Sequence, residues 1–182
     1  MLKPRNVIVV SGPAGSGKTT YARMLAEKYG LRYFSAGHIF RKIAKERGLS
    51  LSELSIIAEK DYSIDLEIDR RTLEEALKGN IVIDGHLTAW IVKDIADLRV
   101  YVTAPLMVRV KRIAERDGKS LKEAFYETVT REFSQRKRFL ELYGVDIADI
   151  SWFDLVINTE KFSVEETFKL IDIAASKILR KP

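Results

Sequence analysis

Apolar positions along the chain fall into short continuous runs separated by longer segments with helical spacing. Residues 6–10 form a Val/Ile run of the kind that makes a strand buried on both faces. Residues 18–29 then read as a helix stopped by Gly30, and 31–34 as a second short strand. Three helices are predicted over 36–47, 51–59 and 64–78, with Gly48 and Gly79 at the ends of the first and last. Ser50 and Glu53 have the spacing of a capping box for the middle one. Strands follow at 80–84 and 98–103. Pro105 opens a helix to about residue 116, and Asp117-Gly118 is a turn signal. Ser120 with Glu123 caps a long helix ending near residue 143. A fifth strand is expected at 153–158, and Ser163 with Glu166 caps a last helix ending near residue 179. Strands alternating with helices predict an α/β fold: a five-stranded parallel sheet covered on both faces, with ligands at the carboxyl ends of the strands.

Composition narrows the class without choosing a function. The chain has 182 residues, enough for one α/β domain with a substantial core. Hydrophobic residues make up 46% and charged residues 31%, which fits a globular protein. The apolar run at Val7–Val10 is too short for a signal peptide or a membrane span, so no membrane partner is expected. There are no cysteines, which excludes a disulfide framework and thiolate metal sites and leaves a cytoplasmic protein as the default. A net charge of +5 suits anionic partners, nucleotides and nucleic acids among them. No exposed apolar stripe is evident in the sequence, so a monomer is expected.

The chemistry begins at Gly12–Thr19, GPAGSGKT, which satisfies G-x-x-x-x-G-K-[ST] between a buried strand and a helix. Gly12, Gly15 and Gly17 let the backbone turn tightly and approach oxygen atoms. The backbone N–H groups of Pro13–Gly17 (Pro13 excepted), including Ala14 and Ser16, form an anion nest. The helix beginning at Lys18, Thr19 and Thr20 adds its positive end. Lys18 sets a charge against the β- and γ-phosphates of ATP, and the Thr19 hydroxyl suits Mg²⁺. Asp84 ends the third strand, where a carboxylate can support the same ion. These features predict a P-loop NTPase three-layer fold acting as a kinase.

The acceptor is read from what is missing as much as from what is present. A hydroxyl acceptor needs a base, whereas a monophosphate has a second pKa of about 6 and is largely dianionic at pH 7. Two charged phosphates must instead be brought together, which arginines achieve by bidentate clamping. No acid follows the second strand; SAGHIFR, Ser35–Arg41, does. Arg109 and Arg112 come later, then Arg131, Arg136 and Arg138. Positions 131, 135 and 138 share one helical face, so Arg131, Gln135 and Arg138 are expected to project together in a lid over the phosphates.

At this point the sequence resembles the nucleoside monophosphate kinases, and among them the archaeal-type cytidylate kinases. The resemblance rests on GPAGSGKTT, SAGHIFRKIAKERGLSL, the Ile83–Gly85 strand end, AERDGKS, and RKRFLELYGVDIADISWFDLVINT. It implies transfer of the γ-phosphoryl group of ATP to CMP or dCMP with Mg²⁺. It places Lys18, Arg41, Arg109, Arg131 and Arg138 in transfer, with Arg109 at the base of the lid. Ser35, Gly37, Arg41, Gly85, His86, Arg131 and Gln135 would line the acceptor site, Asn158 and Thr159 would lie near adenine, and Thr19 and Asp84 would serve the metal. An acceptor-binding region near 36–80 and a lid near 112–140 are expected within a single domain. Two positions depart from the family. His86 stands where an arginine is usual, and Gln135 where bacterial relatives carry an acid that holds the ribose. Trp90 could wall the base pocket or simply join the core. Other readings stay open: a kinase of UMP or AMP, a kinase of a small hydroxylated metabolite, or a nucleotide-gated RNA-binding protein. The last is disfavoured because most arginines are already assigned to phosphate handling.

Overall fold

The computed structural model describes residues 6–179. Its sheet holds β1 (Val7–Ser11), β2 (Arg32–Ser35), β3 (Ile81–Asp84), β4 (Leu98–Thr103) and β5 (Leu155–Asn158), in the order β2-β3-β1-β4-β5. Every pairing is parallel. Strand β1 is central, and its alternate residues build two different cores. Ile8 and Val10 pack with α1 (Lys18–Tyr29) and α8 (Val164–Ile178). Val7 and Val9 pack on the other face with Ile81, Ile83, Trp90 and Phe139. All four β1 residues are fully buried, each such burial stabilising the fold by about 1.5–3 kcal/mol. Trp90 is therefore a core residue, edge-on to Phe153 at 5.4 Å.

Helices α2 (Ala36–Glu46), α3 (Leu51–Ala58) and α4 (Ser63–Leu77) enclose a separate small core of Phe40, Leu54, Ile64 and Ile68. The four-residue α5 (Thr88–Ile91) follows β3. Helix α6 (Leu106–Asp117) packs on the 23-residue α7 (Leu121–Tyr143) through Val110, Ile113, Ala114 and Ala124. All three capping boxes form, at Ser50–Glu53, Ser120–Glu123 and Ser163–Glu166. They satisfy backbone donors that the first helical turn leaves open. No helix among the described residues is long and apolar enough to cross a membrane. Tyr126, Phe133 and Leu140, spaced by sevens on α7, are exposed, so the expectation of a monomer loses the basis it had in an absent apolar stripe.

Candidate active site

The phosphate loop leaves β1 where the strand order divides, with β3 on one side and β4 on the other. Such a crevice at the carboxyl ends of parallel strands is where ligands bind. Two glycines are demanded by close approach. A Cβ on Gly12 would lie 2.0 Å from the Val102 carbonyl oxygen, and one on Gly15 would lie 2.6 Å from the Arg109 carbonyl oxygen. Both have positive φ, which L side chains rarely adopt. Pro13, Ala14, Ser16 and Gly17 complete the loop, and Thr19 and Thr20 open α1 at the surface. Ser16 Oγ is buried with no partner, an unfilled polar group inside the cradle.

Lys18 Nζ lies 2.8 Å from the Pro13 carbonyl oxygen. Burial lowers its pKa to about 8; Asp84 and Glu132 oppose that shift, and Arg131 and Arg109 add to it. The lysine thus marks where the loop, β3, α6 and α7 meet electrostatically. Asp84 is buried, and its two oxygens accept hydrogen bonds from Ser35 Oγ at 2.7 Å and Tyr33 Oη at 2.6 Å. Burial, followed by the bond to Asp84, pushes the Tyr33 phenol upward. Tyr33 and Ser35 lie on the same face of β2, and Ser35 is in register with Asp84 on β3.

The Ser35 hydroxyl donates to Asp84 and accepts from the His38 N–H as the cap of α2, so it ties β2 to β3 at the start of the acceptor-side helices. Gly37 behaves differently, since a Cβ there would sit 3.3 Å from Arg41 Nη1. Its missing side chain leaves room for that guanidinium. Arg41 is exposed and makes no hydrogen bond or ion pair among the described residues, and its charge reaches Arg131.

Three arginines separate by environment. Arg131 is 13% exposed, its Nη1 stands 3.6 Å from Glu127, and its Nε is buried without a partner. Burial lowers its pKa. Arg109 is buried and saturated: Nε donates to the Ala104 carbonyl at 2.9 Å, Nη1 to the Ala14 carbonyl at 3.0 Å, and Nη1 and Nη2 to Glu132. It braces the phosphate loop from the end of α6 that packs on α7, the base of the expected lid. Arg138 faces a different part of the protein. It is 1% exposed, with Nε 2.6 Å from Asp65, and Nη1 bonds Ser134 Oγ at 2.6 Å and the Ser55 carbonyl at 3.3 Å. The shared helical face is real, but seven residues span about 10 Å of helix. The face therefore meets the phosphate loop near Arg131 and α3–α4 near Arg138.

His86 and Gln135, the two positions read from the sequence as departures, touch each other. His86 Nδ1 and Gln135 Oε1 are 2.7 Å apart. Burial lowers the His86 pKa to about 3, with Lys18, Arg109 and Arg131 adding to the effect, so the ring is neutral rather than partly charged. An amide oxygen only accepts, so this ring carries its proton on Nδ1. Gly85 is buried beside them. At the other end, Asn158 Oδ1 accepts from the Glu160 N–H, turning the chain after β5. Its neighbour Thr159 is buried and binds Arg112 Nη1 at 2.9 Å and the Ser16 carbonyl at 3.2 Å. Tyr33, Asp65 and Glu132 received no role from the sequence. The pairing of β2 with β3 exposes Tyr33, and an acid adjoining Arg131 was the only sign of Glu132.

A buried strand, a glycine loop closed by lysine and threonine, and arginines gathered from later helices define a P-loop phosphotransferase. The fold is similar to that of shikimate kinase from Acinetobacter baumannii in complex with shikimate, with a TM-score of 0.61 at 18% identity, covering 98% of this chain and 97% of that one. Residues 7–161 match the cytidylate kinase-like family. The cytidylate kinase of Staphylothermus marinus is 65% identical over 175 residues, 96% of this chain and 99% of the relative. That of Desulfurococcus amylolyticus is 59% identical over 175 residues, 96% and 95% of the two chains. The chain belongs to the cytidylate kinase-like family.

Proposed function

We propose that this protein transfers the γ-phosphoryl group of ATP to CMP or dCMP, giving ADP and the diphosphate. The observation that carries the reading is the set of unfilled cationic donors near Lys18: Arg131, with a buried Nε unpartnered among the described residues, and Arg41 beside it, whose side chain has no hydrogen bond or ion pair among them. A buried donor without a partner costs about 1–3 kcal/mol, and an arriving phosphate removes that cost. The relatives named cytidylate kinase supply the choice of base.

The loop N–H groups and Lys18 hold the β- and γ-phosphates. Arg41, at the start of the acceptor-binding region 36–80, holds the acceptor phosphate. Arg131, on the lid 112–140, offsets charge as the phosphoryl group passes. The dianionic acceptor attacks without a general base. His86 and Gln135 face the acceptor nucleoside as a neutral hydrogen-bonding pair. The Thr19 hydroxyl and Asp84 would hold Mg²⁺. Asp84 keeps lone pairs beyond those used by Tyr33 and Ser35, and no cluster of three His, Asp or Glu residues exists among the described residues, as suits an ion carried mainly by the nucleotide. Bound there, the ion would neutralise charge on the β- and γ-oxygens.

Phosphorylation of a small hydroxylated metabolite is less well supported. It needs a base beside the acceptor, and the relatives that match nearly the whole chain are named cytidylate kinase. A coupled ADP-release assay with Mg-ATP and CMP, dCMP, UMP, AMP, GMP and hydroxylated metabolites tests the reading. Turnover is expected with CMP and dCMP above the rest. Turnover confined to a hydroxyl acceptor would overturn it.

A further inference from the structure

We propose that Glu132 is a positioning residue that, through Arg109, fixes the register in which α7 presents Arg131 to the transferring phosphoryl group. The inference rests on the phosphotransfer reading above and adds a residue to it. Arg109 acts as a staple among three parts of the protein. It binds the Ala104 carbonyl at 2.9 Å, where β4 turns into α6, and the Ala14 carbonyl at 3.0 Å, in the phosphate loop. Both its Nη atoms bind the Glu132 carboxylate on α7. The loop also packs directly on the Arg109 backbone, with room only for glycine at position 15. Arg109 is 7% exposed, so its contacts are internal and it acts through others.

Glu132 follows Arg131 directly on α7. A slide or rotation of the helix moves both side chains together. Other ties from α7 lead elsewhere: Ser134 and Arg138 reach α3 and α4, Tyr143 reaches Asp69, and Gln135 reaches His86. Glu132 gives the helix its link to the phosphate loop through a paired guanidinium, and Lys18 feels the charges of Glu132, Arg109 and Arg131 together. Among the described residues, the Arg131 side chain has no ion-pair partner beyond a 3.6 Å approach to Glu127. Its placement therefore depends on how the helix is anchored one residue further on. A displacement of about 1 Å at a transfer site can cost 10²-fold in rate.

The experiment is a double-mutant cycle on the full chain, with Glu132→Gln, Arg131→Ala and the pair. The readouts are kcat with CMP, the Kd of a non-hydrolysable ATP analogue, and the urea midpoint. Glu132→Gln should lower kcat about 10- to 100-fold while the analogue Kd moves less than about threefold. In the Arg131→Ala background the same change should cost less than about twofold more. Glu132→Asp should recover part of kcat because it restores the charge, and it carries the same cycle if Glu132→Gln folds poorly. Equal losses in both backgrounds, or a loss that follows the urea midpoint, would overturn the role of Glu132 and leave the phosphotransfer reading standing. An Arg131→Ala enzyme unimpaired with every monophosphate would overturn both.

Discussion

Arg131 and Arg138 lie two turns apart on the same helix, yet the protein treats them oppositely. Arg138 is enclosed, with Asp65, Ser134 and the Ser55 carbonyl filling its donors. Arg131 is partly buried, with a loose approach to Glu127 and an Nε unpartnered among the described residues. One is part of the seam between α7 and the α3–α4 unit, which Lys137–Glu59, Tyr62–Glu141 and Tyr143–Asp69 continue. The other waits beside Lys18. Identical chemistry at matching helical phase thus yields a saturated ion pair at one end and an under-satisfied guanidinium at the other. Distance along the helix decides which, because it sets what each arginine faces.

The contrast can be broken most forcefully at Arg138. Arg138→Ala should leave the Asp65 carboxylate buried without its cation and destabilise the protein by about 3–5 kcal/mol, seen as a lower urea midpoint. Arg131→Ala should instead cut kcat by about 10²- to 10³-fold with the urea midpoint nearly unchanged, since its partners in the free protein are few. Arg41→Ala should raise the KM for CMP about 10- to 100-fold and leave the Kd of an ATP analogue within about twofold, because Arg41 has no contact that shapes the loop. A loss of ATP-analogue binding with Arg41→Ala would show that the two phosphate sites are not divided as described.

The smallest effect sharpens the seam itself. Burial pushes the Asp69 carboxyl up to about 7; Asp65 adds to the rise, and Tyr143 and Arg138 oppose it. A carboxyl raised in the folded state binds a proton there that the unfolded chain has released. Its contribution is most favourable below the ordinary carboxylate pKa and is lost as pH climbs from about 4 to about 7. Asp69→Asn removes that loss, so the variant should gain stability relative to the parent as pH rises from about 4 to about 7, by urea titration at each pH. A gain independent of pH would place the cause in packing.

The sequence was most readable where a residue's role is local. Each capping box needs only a serine and a glutamate three residues on, and each forms. The glycines of the phosphate loop stand at fixed offsets from Lys18 and mark the strand–loop–helix unit by themselves. Helix α5 was missed because four residues carry no periodicity, and its Thr-Ala-Trp-Ile is held by burial against β1 and β3. Strand β5 begins later than predicted because Asp154 turns aside to bind Arg99. Ser35 and Tyr33 converge on Asp84 only once β2 lies beside β3, a pairing between distant segments. Arg109 and Arg138 were assigned to phosphate because arginine type and spacing are visible in sequence, while the partners that saturate them, Glu132 and Asp65, come from tertiary contacts.

The central claim is that α7 carries one arginine for the reaction and one for the fold. The most direct test measures kcat with CMP and the urea midpoint side by side for Arg131→Ala and Arg138→Ala. The account predicts that Arg131→Ala loses turnover at an unchanged midpoint, and that Arg138→Ala loses stability first. Arg138→Ala losing turnover at full stability, with Arg131→Ala unfolding early, would contradict it.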